Sequence, residues 1–283
     1  MRAIAVLFRT HWLAKPGLQS TCLRSEWIIC GDACRLRFRD KRNFPMKQKL
    51  NAGVVNAGCL LFFPEQAQAV SHSDVMDLML YVQLAASKKH PKFTSLDKWN
   101  ETWLAAAMSF GWMLKASEHV SEPLKADAAE TIWSVIRRAL AVSVTPEALD
   151  HAERSLRKAC ETPSSNRAIR LLASQVLEHE TDQAGRAQTV VAVQTGFVDE
   201  QHNLALLQLH FVTRQPLSDD FMFDVLEPAS AVGNIDLTFY SLHLMDLVYL
   251  QFRDTISSAL ATRRVGLIET LEEVPDTADI ISL

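Results

Sequence analysis

The hydrophobic period of this chain changes once, near Arg186, and that change limits the folds open to it. Upstream, apolar residues recur every three or four positions; downstream, they alternate. A 3.6-residue period places one face of a helix on the core, whereas a period of 2 does the same for a strand. Two halves of different secondary structure are therefore expected.

Upstream, the spacing predicts five helices. Val75, Leu78, Met79, Val82 and Ala86 form the stripe of the first. Ser71 or Ser73 serves as its cap, Asp74 and Asp77 suit the positive end of its dipole, and Pro91 stops it. In the second, Leu96, Trp99, Trp103, Ala107, Phe110 and Leu114 keep helical spacing, and Met108 and Trp112 widen the stripe. Trp99, Trp103 and Trp112 read as core anchors, the other reading being an aromatic pocket. Three more helices are expected over 127–141, 145–160 and 166–180, the middle one capped by Thr145 with Pro146 at its first position.

Downstream, "QTVVAVQTGFV" and "NLALLQLHFVT" flank the polar loop 199–202 and read as a hairpin. "DFMFDVLE" and "NIDLTFYSL" add two alternating segments. Leu244, Val248, Phe252, Ile256 and Leu260, spaced by four, predict a helix near 246–262 that the apolar face of the sheet would bury. The expected fold is α+β: a helical N-terminal half, then a four-stranded antiparallel meander covered by a C-terminal helix. The regions 46–185 and 186–283 are expected to share one core, because no Gly/Pro/Ser-rich linker parts them.

Residues 1–45 stand apart. They carry nine Lys and Arg against three acids, hold Cys22, Cys30 and Cys34, and lack a clean period. They read as a basic leader, either sequence upstream of a start at Met46 or an arm. From Met46 the next residues read two ways: as a signal peptide ending near Ala69, or as a strand from Val54 to Phe63 closed by Pro64. A cytoplasmic protein is expected, with secretion as the alternative. Cys59 and Cys160 read as buried reduced thiols, since two distant cysteines make no disulfide framework.

The net charge of -4 gives no reason to expect nucleic acid. Nothing approaches the ~18–20 apolar residues of a membrane-spanning helix. No glycine-rich phosphate loop occurs and no G-x-S-x-G elbow, so no cofactor is expected. Glu178-His179-Glu180 lacks a second histidine four residues away, and no metal site is expected.

One constellation remains. Gln194, Gln208, His210, Asp224, Asp236, Thr238 and Tyr240 are expected on the sheet face opposite the core. His210 beside Asp224 or Asp236 would form a proton-transfer pair. Gln194, Gln208, His210, Thr238 and Tyr240 would equally serve a binding surface.

"SDVMDLMLYVQLAASKKH", "FGW" at 110–112 and the closing meander and helix resemble a group of uncharacterised bacterial and fungal α+β proteins, over roughly residues 60–272. The resemblance implies a helical first half, a sheet-plus-helix second half and a start near Met46. It brings no activity and no catalytic residues.

The function expected from the sequence is non-enzymatic binding through contact with a protein partner or a second copy. It rests on the missing catalytic motifs and on Leu204, Leu206, Met222, Leu226 and Leu242, too apolar together for a wet sheet face. A secreted toxin-like protein acting on membranes and a hydrolase built on His210 are the alternatives.

Overall fold

Six consecutive residues without a polar side chain, Cys59–Pro64, form strand β2, and all six are buried. The computed structural model describes residues 50–64, 69–125 and 129–271; the basic leader at 1–45 lies outside them. A hairpin joins β2 to β1 (Leu50–Asn56), so the single strand expected from Val54 to Phe63 is two, with a turn at Ala57 and Gly58. A cut at Ala69 would remove both.

On its other side β2 runs parallel to β5 (Ala187–Val198), with Cys59 opposite Gln194 and Phe62 opposite Phe197. From β5 the sheet continues antiparallel through β6 (Asn203–Thr213) and β7 (Ala231–Leu244) to β3 (Trp112–Glu122) at one edge. Beyond β1 lies β8 (Ile268–Thr270), and β4 (Leu177–Thr181) pairs with β5 off this path.

Helices cover both faces. Against one lie α1 (Ala69–Lys89), α2 (Leu96–Ser109), α6 (Asp246–Tyr249) and α7 (Arg253–Leu260), in a core shared with Leu61, Leu206 and Leu242. The α1 stripe from Val75 to Ala86 is fully buried there. Against the other face lie α3 (Ile132–Leu140), α4 (Pro146–Cys160) and α5 (Arg167–Val176). There Trp133 meets Phe62 edge-on at 6.4 Å, and Phe62 stacks on Phe197 at 4.9 Å. Local chemistry fixes the starts of these three helices: Thr131 and Ser134 form a reciprocal capping box, while Thr145 and Asn166 each accept from the first turn.

This architecture corrects the expected one. Among the described residues there are eight strands in one mixed sheet and seven helices, not a helical half followed by a four-stranded antiparallel meander. β1 and β2 come first in the chain and join the sheet beside β5. A strand covered on both faces loses the alternation by which strands are recognised.

The second predicted helix ends at Ser109. Gly111, at φ 125°, turns the chain there, and Trp112 and Leu114 belong to β3. "DFMFDVLE" is not a strand but a compact turn, joined to the start of α3 by a bridge between Val225 and Thr131 and by the Trp133 amide, which donates to the Met222 carbonyl at 2.9 Å. Phe221 and Met222 are nevertheless buried.

The helix expected near 246–262 is two short pieces, α6 and α7. Leu244 of its predicted stripe ends β7, while Ile256 and Leu260 pack with the residues of α1 rather than capping a meander. Salt bridges fasten this packing, Arg253 to Asp74 and Arg264 to Asp77.

Candidate functional site

Strand register brings the polar face together. Gln194 stands opposite Gln208, Gln208 opposite Thr238, and Thr238 opposite His119, one row across β5, β6, β7 and β3. The next row holds Ala192, His210 and Asp236. Directly paired residues share a face, so both rows point the same way.

Helices α1 and α2 cover only part of this face. They bury Leu204, Leu206, Tyr240 and Leu242, whose row neighbours are apolar. Pro91 ends α1, and the connection to α2 crosses above the two polar rows. A cleft of about 650 Å³ lies between this connection and the sheet, within the range of small-molecule sites.

Lys92 reaches from the connection towards the floor. Its Nζ donates to the Ala192 carbonyl at 2.6 Å and to the Gln175 carbonyl at 3.2 Å, and it lies 5.5 and 5.6 Å from the Phe93 and Trp99 rings. Among the described residues no carboxylate pairs with it. Burial lowers its pKa to about 8. Close by, Cys59 is wholly buried and burial pushes its thiol upward, so it is a poor nucleophile.

Gln194 is 2% exposed and Gln208 7%, and among the described residues neither the oxygen nor the nitrogen of either side-chain amide has a hydrogen-bond partner. Both line the cleft. An unmade hydrogen bond on a buried polar group costs about 1–3 kcal/mol. Two such amides facing each other are the most unusual feature of this structure.

His210 and Asp236 also line the cleft, with Nδ1 and Oδ2 3.7 Å apart. That separation makes them electrostatic neighbours rather than a hydrogen-bonded dyad. Burial lowers the His210 pKa, Asp236 opposing it. Thr238 is engaged by His119 at 3.0 Å.

Two residues expected here lie elsewhere. Asp224 sits in the turn after β6, accepting from the Ser218 amide at 2.6 Å and hydroxyl at 2.7 Å. Tyr240 is on the same sheet face but buried, its ring 5.8 Å from that of Trp103. Of the tryptophans, Trp103 and Trp112 are in the core. Trp99 is buried too, yet it borders the cleft, and its Nε1 donates to Ser87.

Lys92 and Asp97 are cleft residues that the sequence reading does not place in a site. A lysine just past a helix-stopping proline looks like ordinary surface, and only the fold turns it inward. Among the described residues no group of His, Cys, Asp and Glu could hold a metal ion, and no helix is long and apolar enough to cross a membrane.

No protein-family model matches the chain, and no curated protein does. A solved structure of the Evf virulence factor is similar at 14% identity, over 71% of this chain and 77% of that one, with a TM-score of 0.34.

Proposed function

We propose that this chain is a non-enzymatic binding protein whose recognition site is the cleft between β5–β7 and the α1–α2 connection, and that its ligand is a small polar molecule. The observation carrying this reading is the facing pair of buried amides, Gln194 and Gln208, which lack partners among the described residues. A folded chain tolerates such groups when a ligand completes their bonds. Binding rather than catalysis is favoured because His210 and Asp236 are too far apart to act as one hydrogen-bonded unit.

The apolar residues that suggest a protein-docking face do not support one in the folded chain. Leu204, Leu206 and Leu242 lie beneath α1 and α2, and Met222 and Leu226 are also buried. The recognition element therefore shifts from a broad face to the cleft.

Thermal unfolding with a panel of amino acids, sugars, organic acids and polyamines tests this. At least one class should raise the Tm of the wild type and leave the Gln194→Leu/Gln208→Leu variant unmoved. A panel that raises neither, or raises both equally, contradicts the reading.

A further inference from the structure

The charges around the two glutamines are arranged in poles. Lys92 lies at the β5 side, held by the carbonyl of Ala192, and Asp236 lies in the same row two strands away on β7. Two strand spacings separate the backbones of Ala192 and Asp236 by roughly 10 Å. Between them stand His210 in that row and the two amides in the next.

The positive pole is incomplete. A lysine ammonium has three N–H donors, and backbone carbonyls take two of those on Lys92. Carbonyl dipoles do not neutralise a charge, and the aromatic rings of Phe93 and Trp99 compensate it only in part. An enclosed cation without a counter-ion favours an anion that brings one.

The opposite side of the cleft is acidic. Asp236 is 41% exposed in its side chain and among the described residues meets only His210, at 3.7 Å, and Asp97 also lines the cleft. The amides between the poles each offer a donor and an acceptor. A purely anionic ligand would leave the two amide oxygens unpaired, and a purely cationic one the amide nitrogens.

We infer that the cleft takes an extended zwitterion, a short peptide or peptide-like molecule whose carboxylate meets Lys92 and whose ammonium points to Asp236, with Gln194 and Gln208 pairing its middle. This inference rests on the cleft being a ligand site and adds the class of ligand. Glycine, whose charges are adjacent, is too short to reach both poles.

Three probes built on one peptide group separate the contributions: β-alanylglycine, N-propionylglycine, which lacks the ammonium, and β-alanine N-methylamide, which lacks the carboxylate, titrated calorimetrically into the whole chain. β-Alanylglycine should bind at least ten-fold more tightly than either of the others. Lys92→Met should reduce its affinity to that of β-alanine N-methylamide, and Asp236→Asn to that of N-propionylglycine. Because pairing favours the charged Lys92 ammonium, β-alanylglycine binding at pH 8.5 should take up protons, measured in buffers of different ionisation heat, and Lys92→Met should remove most of the uptake.

β-Alanine N-methylamide binding as tightly as β-alanylglycine, or no binding of β-alanylglycine at 10 mM, overturns the inference. If a sugar or another neutral compound raises the Tm through the two glutamines while β-alanylglycine does not bind, the zwitterion is wrong and the cleft reading stands. Circular dichroism of each variant establishes that it is folded; should Lys92→Met unfold, Lys92→Gln replaces it with the same expected loss.

Discussion

Arg264 grips Asp77 through two parallel hydrogen bonds, Nε to Oδ1 at 2.7 Å and Nη2 to Oδ2 at 2.5 Å, joining the segment after α7 to the first half of α1. Arg253 holds Asp74 in the same forked manner one turn earlier on α1. Helix α1 begins at Ala69, so the aspartates that read from the sequence as dipole partners lie beyond its first turn, and they anchor the C-terminal helices instead. Arg264→Met leaves Asp77, whose side chain is 12% exposed, without its partner. The expected cost is about 1–3 kcal/mol, seen as a lower urea midpoint. An unchanged midpoint would mean that solvent screens the pair completely.

Gly196 sits where β5 passes under the leucines of β2 and β6. A methyl group there would stand 2.7 Å from Leu204 Cδ1, 3.0 Å from Leu61 Cδ2 and 3.2 Å from Leu206 Cδ1. These side chains are fully buried and have little room to yield. Gly196→Ala should therefore destabilise the fold by about 1–3 kcal/mol despite the better strand propensity of alanine. A gain in stability would show that this layer is loosely packed.

Lys92 gives the stability a pH dependence of known sign. Its ordinary pKa of 10.5 falls to about 8 in the folded chain because burial disfavours the charge. Below pH 8 both states hold the proton, and the folded state bears the cost of enclosing it. Between pH 8 and 10.5 the folded chain has released it while the unfolded chain keeps it, so stability rises with pH. Asp97, Lys98, His119, His210 and Asp236 line the same cleft and are common to wild type and Lys92→Met. The difference between their urea midpoints should therefore move in favour of the wild type across that window; parallel curves would place the ammonium in solvent.

The sequence made the amphipathic parts of this molecule legible and hid the parts buried on both sides. The stripes of α1, α3 and α4 and the hairpin β5–β6 follow from periodicity, and the start of α4 from its Thr145 cap. Helix α1, however, begins before the expected caps Ser71 and Ser73, and the helix expected over 166–180 ends at Val176, giving way to β4. The common face of Gln194, Gln208, His210 and Asp236 also follows from periodicity, since residues two apart on a strand point the same way.

By contrast β2, all apolar, carries no period. The sheet order that sets it parallel to β5 is decided by helices packing on both faces, which no local pattern records. β3 was concealed because Trp112 and Leu114 happen to continue the α2 spacing. Gly111 just beyond the helix, a common stop, was the overlooked signal. Lys92 could not be found at all, since its role comes from the carbonyls of Gln175 and Ala192, far away in the chain.

The account depends on Gln194 and Gln208 being kept polar for something other than folding. Urea unfolding of Gln194→Leu/Gln208→Leu, without added ligand, tests this most directly. Groups that make no bonds in the protein contribute nothing when removed, so the double variant should match or exceed the wild-type midpoint. A loss of about 2 kcal/mol or more would show that these amides hold the sheet together, and the cleft would then have no claim to a ligand.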